Sequence, residues 1–281
     1  MTLSPMPTPL PFSQQVQEAF GRHVAAYEPQ ARLQRSVAWR LAGLAQRHGW
    51  GQACGTDHPW ALPQGLCADL GAGTGLVGRA LKGWELPLPA PLQQLDLCRE
   101  ALARNGSGPT LPWNLNQGLP PQLRGAALLT SSFALQWLDA PPEALTLWGE
   151  HLAPGGWLLL AVPTAGSFPQ WRQAARDAGV ACSALALPPA PALLDAAARG
   201  GLQTMRRQLL TFSPQHPAGS PPSPLAALRA LQAIGAGTSR EAAPLSPGAW
   251  RRLLGAWPPG GQLSWEVLVL LARKGGGPCS W

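Results

Sequence analysis

The chain is poor in charge, in tyrosine, and in the cysteine and histidine spacings that hold metals. Only 12% of its 281 residues are charged, and Tyr27 is the one tyrosine. The five cysteines (Cys54, Cys67, Cys98, Cys182, Cys279) are odd in number and far apart, with no C-x-x-C pair or His/Cys cluster. That distribution argues against a zinc site and a disulfide framework, and a reducing, cytoplasmic setting is expected. No apolar run reaches bilayer-spanning length although 46% of residues are hydrophobic, so a soluble protein without a membrane partner is expected. The stretch from Met1 to Pro11 has prolines but neither the basic start nor the apolar centre of a secretory signal, and reads as a flexible tail. No Ser/His/Asp or Cys/His set stands out.

The charge that is present is lopsided, +7 in total and carried almost wholly by arginine. Such a balance favours an acidic partner. The arginines are scattered (Arg172, Arg176, Arg206 and Arg207 among them) and are not interleaved with aromatics as a stacking groove would require, so nucleic acid is not the expected partner.

Against this background one stretch is dense with information: Cys67-Ala68-Asp69-Leu70-Gly71-Ala72-Gly73-Thr74-Gly75-Leu76-Val77. A short apolar run containing an acid breaks into three alternating glycines before a helix-compatible segment, which predicts a strand, a tight turn and a helix N-terminus. Glycine is needed where backbone passes against a ligand with no room for a Cβ. A P-loop is excluded because Arg79 and Ala80 follow Gly78 where Lys and Ser/Thr are required, and the dinucleotide fingerprint is excluded by Leu76 at its last glycine position. About 20 residues further on, the run Leu92–Leu97 carries Asp96, placed to accept both hydroxyls of a ribose or to cap the helix that follows.

Apolar spacing predicts two helices between Phe12 and His48, joined at Glu28-Pro29, and a loop from Gly49 to Gln64. Strands are expected at Leu92–Leu97, Pro109–Pro112, Ala126–Ser131 and Trp157–Val162, with a helix from Pro142 to Leu152 closed by Pro154-Gly155-Gly156. Alternation of strand and helix from Leu66 to Val162 implies an α/β, mostly parallel, doubly wound sheet. Beyond it the pattern predicts helices at Ser167–Ala178, Pro191–Ala198, Leu225–Ile234 and Pro247–Leu254. Strands are expected at Arg206–Phe212 and Leu263–Ala272, and a Pro/Ser/Gly surface loop at Ser213–Pro224.

The D-x-G-x-G-x-G run resembles motif I of the Rossmann-like methyltransferases that bind S-adenosylmethionine. Phe20-Gly21-Arg22 through Ala26-Tyr27-Glu28, then Phe133-Ala134-Leu135-Gln136-Trp137, Gly166-Ser167-Phe168-Pro169, Leu231 through Gly235-Ala236 and Leu263-Ser264-Trp265 resemble, in order, the malonyl-acyl-carrier-protein O-methyltransferase family of biotin synthesis. The resemblance implies one methyltransferase domain over residues 12–281, with N-terminal helices (12–48), a cofactor-binding half (64–165), and substrate-side helices and closing strands (166–281), the last strand antiparallel. It implies S-adenosylmethionine as cofactor, held by Asp69, Gly71, Gly73 and Gly75 at the methionine end, Asp96 and Leu97 at the ribose, and Asn114 and Leu115 at the adenine. Tyr27 is the expected catalytic residue, although a tyrosine on an amphipathic helix also suits core packing. Gln136, Trp137 and Arg172 are the expected substrate contacts, with a core tryptophan and a solvated arginine as the alternatives for the last two.

The implied reaction is methylation of the free carboxylate of a malonyl thioester on acyl carrier protein or coenzyme A. Another small-molecule or RNA acceptor, or a non-catalytic binding module of this fold, are the alternatives. A carboxylate is ionised at neutral pH and needs no general base, so the absence of a catalytic set is neutral. The family's acid after the third strand is replaced here by Asn114 or Asn116, and an asparagine carbonyl can accept the same hydrogen bond without charge.

Overall fold

The computed structural model describes residues 10–48, 61–213, 223–234, 245–260 and 262–276. Most of the N-terminal tail, of the Gly49–Gln64 loop and of the Pro/Ser/Gly loop lies outside these, as do Gly235 and Ala236.

Two helices, α1 (Phe12–Gln30) and α2 (Arg32–Arg47), precede β1 (Cys67–Leu70). There follow α3 (Leu76–Gly83), β2 (Leu92–Asp96), α4 (Arg99–Leu102), β3 (Thr110–Pro112), β4 (Ala126–Ser132), α5 (Pro141–His151) and β5 (Leu152–Pro163). The chain ends with α6 (Pro169–Asp177), α7 (Ala190–Arg199), β6 (Leu202–Phe212), α8 (Pro224–Ala233), α9 (Pro247–Gly255) and β7 (Trp265–Lys274). The strands form one seven-stranded sheet in the order β3-β2-β1-β4-β5-β7-β6. Strands β1 to β5 are parallel, and β7 runs antiparallel to both its neighbours, β5 and β6. Strand order reverses between β1 and β4, and ligands of open α/β sheets bind at the carboxyl ends beside such a reversal.

Strand period sorts the core into two layers. Trp157, Leu159 and Ala161 of β5 with Val267, Val269 and Leu271 of β7 face α2, α3, α6 and α9. Leu158, Leu160, Val162, Leu268, Leu270 and Ala272 face α5 and α7. Coverage on both faces explains why the central strands read as unbroken apolar runs. Ala126 and Ala127, at the start of β4, are buried within this core.

Three boundaries differ from expectation. The first helix passes through Pro29 and stops only at Ala31, because proline removes one N–H bond near the helix end while Ala31 N–H still closes on Tyr27 O at 2.8 Å. Strand β5 begins at Leu152: Ala126 pairs with Leu152 but Leu128 with Trp157, so the segment with Gly155 (φ +78°) is a bulge inside the strand and not a loop closing α5. Strand β6 starts at Leu202, four residues before Arg206, because its pairing with β7 extends to Lys274. Among the described residues no helix is long and apolar enough to cross a membrane.

Candidate active site

The glycine turn connects β1 to α3 and each of its glycines has a separate steric reason. Gly71, Gly73 and Gly75 all have positive φ (+74°, +52° and +88°). A Cβ on Gly71 would stand 2.1 Å from Ala134 Cβ, and one on Gly75 would stand 2.4 Å from Ser107 Oγ. A Cβ on Gly73 would meet no described atom within 4 Å, and Gly73 lines a cavity, so this is where the backbone leaves space for a ligand. Gly75 lies outside that cavity and shapes the turn at the start of α3. Gly71→Ala is therefore expected to cost about 2 kcal/mol or more of stability through clash and strain. Gly73→Ala should cost only about 1 kcal/mol of stability and appear instead as weakened cofactor binding. Thermal melts and calorimetric titration of the two variants check the contrast.

The turn is pinned from beneath. Gly71 and Ala72 N–H both donate to Leu95 O at 2.8 Å, tying the loop to β2. Asp96 at the end of β2 accepts from Gly73 N–H (2.8 Å) and from Cys98 N–H (2.7 Å), so its carboxylate spans the turn and the start of α4. Asn105 donates to Gly73 O at 3.2 Å and to Gln94 Oε1 at 3.0 Å, and Ser107 donates to Gly75 O at 3.0 Å. Sequence reasoning did not single out Asn105 and Ser107; the Asn105-Gly106-Ser107-Gly108 run signals only a turn.

The cavity above the turn encloses about 1080 Å³ of empty space, its open mouth included. Asp69, Gly71, Gly73, Asp96, Leu97, Asn114, Leu115, Tyr27 and Trp137 all line it, so the structure brings together most of the residues expected at the site. Helix α1 roofs the space with Val16, Phe20, Val24 and Tyr27, each of them half-buried. It is tied to the turn by Arg79, which pairs with Glu28 at 2.5 Å and donates to Thr74 O at 2.7 Å. Gln136 lies instead in a second cavity that shares Phe20, Tyr27, Gln34, Phe133 and Trp137 with the first. Arg172 lines neither; its guanidinium donates to Ala165 O at 2.7 Å. Asn114 lines the cavity, but its carbonyl already accepts from Asn116 N–H at 3.0 Å, leaving one lone pair for a ligand.

The residues fit the expected cofactor. Buried Asp69 accepts from Thr130 Oγ1 at 2.8 Å through one oxygen, while its other oxygen and Ser132 Oγ, both on residues lining the cavity, have no partner among the described residues. Orphaned buried polar atoms are rare in native proteins and mark a missing partner. A ligand with an ammonium and a sulfonium would supply one to a carboxylate here. Asp96 keeps lone pairs beyond its two backbone bonds for hydroxyl donors.

Burial drives the Asp69 carboxyl up to about 7, with the Thr130 hydrogen bond opposing and the neighbouring charge of Asp96 reinforcing. Its folded pKa thus stands above the reference value near 4, so the stability it contributes is full below about pH 4 and is lost as pH rises through about 7. The same ionisation favours a cationic ligand, so cofactor affinity should rise as pH increases from about 6 to about 8. Asp69→Asn should flatten both profiles, measured by thermal melts and calorimetry across that range.

The Tyr27 hydroxyl makes no hydrogen bond to a described residue, and its ring packs edge-on against Phe20, with ring centres 6.2 Å apart. Burial first, then the charges of Asp96 and Glu28, push its phenol well above the usual range. The group therefore keeps its proton, a hydrogen-bond donor and not a base. Among the described residues no cluster of three or more His, Cys, Asp or Glu side chains could hold a metal ion.

No family model matches the chain. It is 30% identical over 96% of its length, and 90% of the relative's, to the malonyl-[acyl-carrier protein] O-methyltransferase of Alcanivorax borkumensis. It is 33% identical over 73% of its length to the biotin biosynthesis bifunctional protein BioCD of Bordetella avium, of which it spans 45%. Among solved structures, an N-methyltransferase of Haemonchus contortus in complex with S-adenosylhomocysteine superposes with a TM-score of 0.53 at 14% identity, covering 96% of this chain and 62% of the other. A SAM-dependent methyltransferase of Thermotoga maritima superposes with a TM-score of 0.50 at 15% identity, covering 92% and 99%. These likenesses carry the fold, and the sequence match carries the family. With the cavity built as described, the chain is an S-adenosylmethionine-dependent methyltransferase and belongs to the malonyl-[acyl-carrier protein] O-methyltransferase family of biotin biosynthesis.

Proposed function

We propose that the chain methylates the free carboxylate of a malonyl thioester borne on acyl carrier protein, forming the methyl ester that primes pimeloyl synthesis. The observation that carries this reading is the junction between the two cavities. Tyr27, a phenol held protonated, lines both cavities, and the described residues lining the second include no charged side chain. A carboxylate is stable at the junction, near the cationic cofactor and a hydroxyl donor, and would be costly to bury deeper.

When bound, S-adenosylmethionine supplies a methyl group on positively charged sulfur, which a carboxylate oxygen takes with no proton changing hands. The protein's share is then orientation. Asp69 and the glycine turn place the methionine end and Asp96 the ribose, Tyr27 donates a hydrogen bond to a carboxylate oxygen, and Phe20 and Trp137 exclude water. Phe20 and Trp137 meet edge-on with centres 5.7 Å apart, and Phe12 lies 6.4 Å from Trp137, so the roof is aromatic and closely packed. Methylation removes a charge that an apolar acyl channel would otherwise have to desolvate.

Transfer of labelled methyl to malonyl-acyl carrier protein, malonyl-coenzyme A, free malonate and RNA separates the acceptors. Label on the carrier-protein thioester at a rate well above the other three is the expected result. Label passing to RNA or free acids but not to either thioester would overturn the reading. The +7 net charge adds an independent expectation, that the carrier-protein reaction slows as salt is raised while the reaction with small thioesters does not.

A further inference from the structure

The second cavity encloses about 590 Å³, open space included, and shares Tyr27 with the first but none of the turn's glycines. Its walls are mainly apolar (Phe168, Leu185, Leu187, Leu231, Ile234, Trp265), yet three of its lining residues carry buried polar atoms with no hydrogen-bond partner among the described residues. These are Gln136 Oε1, Trp171 Nε1 and Ser183 Oγ. Gln136 is fixed by its own amide N–H, which donates to Phe133 O at 2.8 Å and leaves the carbonyl oxygen as a committed acceptor. Trp171 Nε1 can only donate, and Ser183 Oγ can do either.

The backbone around this cavity is also strained. Among the described residues only Glu85, Phe133 and Phe168 have positive φ without being glycine, and the two phenylalanines both line it. Phe168 N–H is held by Ser264 O at 2.7 Å, Phe133 N–H by Ala161 O at 2.9 Å, and Phe168 packs on Trp265 at 4.6 Å. Strain of this kind persists where surrounding structure over-determines it, and it gathers at ligand sites.

We propose that this cavity receives a linear, uncharged secondary amide, the arm that carries the thioester, with Gln136 Oε1 accepting its N–H and Trp171 Nε1 and Ser183 Oγ donating to its carbonyl oxygens. The inference rests on the thioester reading above and assigns Trp171 and Ser183 as specificity-determining contacts. A carboxylate or phosphate is disfavoured because no cation lines the cavity among the described residues and Gln136 presents an acceptor. A plain alkyl chain would leave all three polar atoms unpaired. An amide satisfies an acceptor and a donor at once, and sites built for a hydrogen bond reject analogues that lack it.

The test compares two small acceptors, the malonyl thioesters of N-acetylcysteamine and of pentanethiol, which have the same reach and differ in the amide. The wild-type chain should prefer the amide-bearing acceptor about tenfold or more in kcat/KM. Trp171→Phe and Ser183→Ala should each shrink that preference several-fold by raising KM for the amide-bearing acceptor, leaving the pentyl thioester and cofactor affinity unchanged. Removing an orphaned N–H or hydroxyl should leave the melting temperature within a few degrees, which separates binding from folding. The same loss is expected on the malonyl thioesters of coenzyme A and acyl carrier protein, and the better wild-type substrate of the two identifies the source of the arm. Equal wild-type use of both small acceptors, or an equal loss on both in the variants, overturns the inference while sparing the methylation reading. Failure of the wild-type chain on every malonyl thioester, with methyl transfer to another acceptor, overturns both.

Discussion

Asp96→Ala is expected to weaken S-adenosylmethionine binding by about 100-fold or more, because hydrogen bonds to a charged group contribute about 1.5–3 kcal/mol each and the proposed ribose site makes two. The carboxylate is also the strut between Gly73 N–H at 2.8 Å and Cys98 N–H at 2.7 Å, so its removal frees the middle of the turn as well as the ligand's partner. Asp96→Asn divides the two roles. Its amide keeps an acceptor for one backbone N–H and the shape of the strut, but offers a donor where the second oxygen stood. Melting temperature should therefore recover toward wild type in the Asn variant while affinity stays low. Burial raises the Asp96 carboxyl, and three backbone N–H groups, from Cys98, Gly73 and Leu97, oppose that rise, so the fold supplies donors to keep the group charged. Titration calorimetry with S-adenosylmethionine and S-adenosylhomocysteine reads the effect, and unchanged affinity in both variants would remove Asp96 from the cofactor site.

What the sequence made legible at this site was local. The glycine turn and the acid ending β2 lie on short segments whose periodicity and glycine spacing specify their own geometry, and Gly71, Gly73 and Asp96 line the cavity, with Gly75 just outside it. The parts that were not legible depend on distant chain. Nothing near Asn105 or Ser107 says that they brace the turn some thirty residues earlier, since that pairing exists only once β2 and β1 lie side by side. The second cavity was missed for the same reason. Gln136, Trp171, Ser183 and Ile234 come from four separate segments and share no motif. Local rules also misplaced boundaries. Proline was given too much weight at the end of α1, where the helix runs on to Gln30 and Ala31 N–H still bonds Tyr27 O. Glycine was given too much weight at Gly155, where it supplies a bulge and not a stop. Arg172 was chosen for its charge and for following the Gly-Ser-Phe-Pro segment, and the structure engages its guanidinium with Ala165 O outside both cavities.

Tyr27→Phe is expected to lower kcat for the malonyl thioester by about 100-fold, the scale measured when one preorganised donor is removed from a reaction centre. The substitution deletes one hydroxyl and keeps the ring that packs on Phe20, so cofactor affinity and melting temperature should stay near wild type. The core-packing alternative for Tyr27 predicts the opposite pattern, an unchanged rate, because phenylalanine fills the same space. The shape of the pH profile adds a second discriminator. A tyrosine serving as base would need its pKa lowered toward neutrality, but burial and the charges of Asp96 and Glu28 hold this one above its ordinary value. The phenol therefore stays protonated across the working range, and the variant's kcat profile should be the wild-type curve scaled down, with no limb lost. Loss of an alkaline limb in the variant would mean that the hydroxyl surrenders its proton during turnover, and the acceptor would then have to be something other than a carboxylate. Single-turnover methyl transfer from pH 6 to 10, with cofactor saturating, measures the magnitude and the shape together.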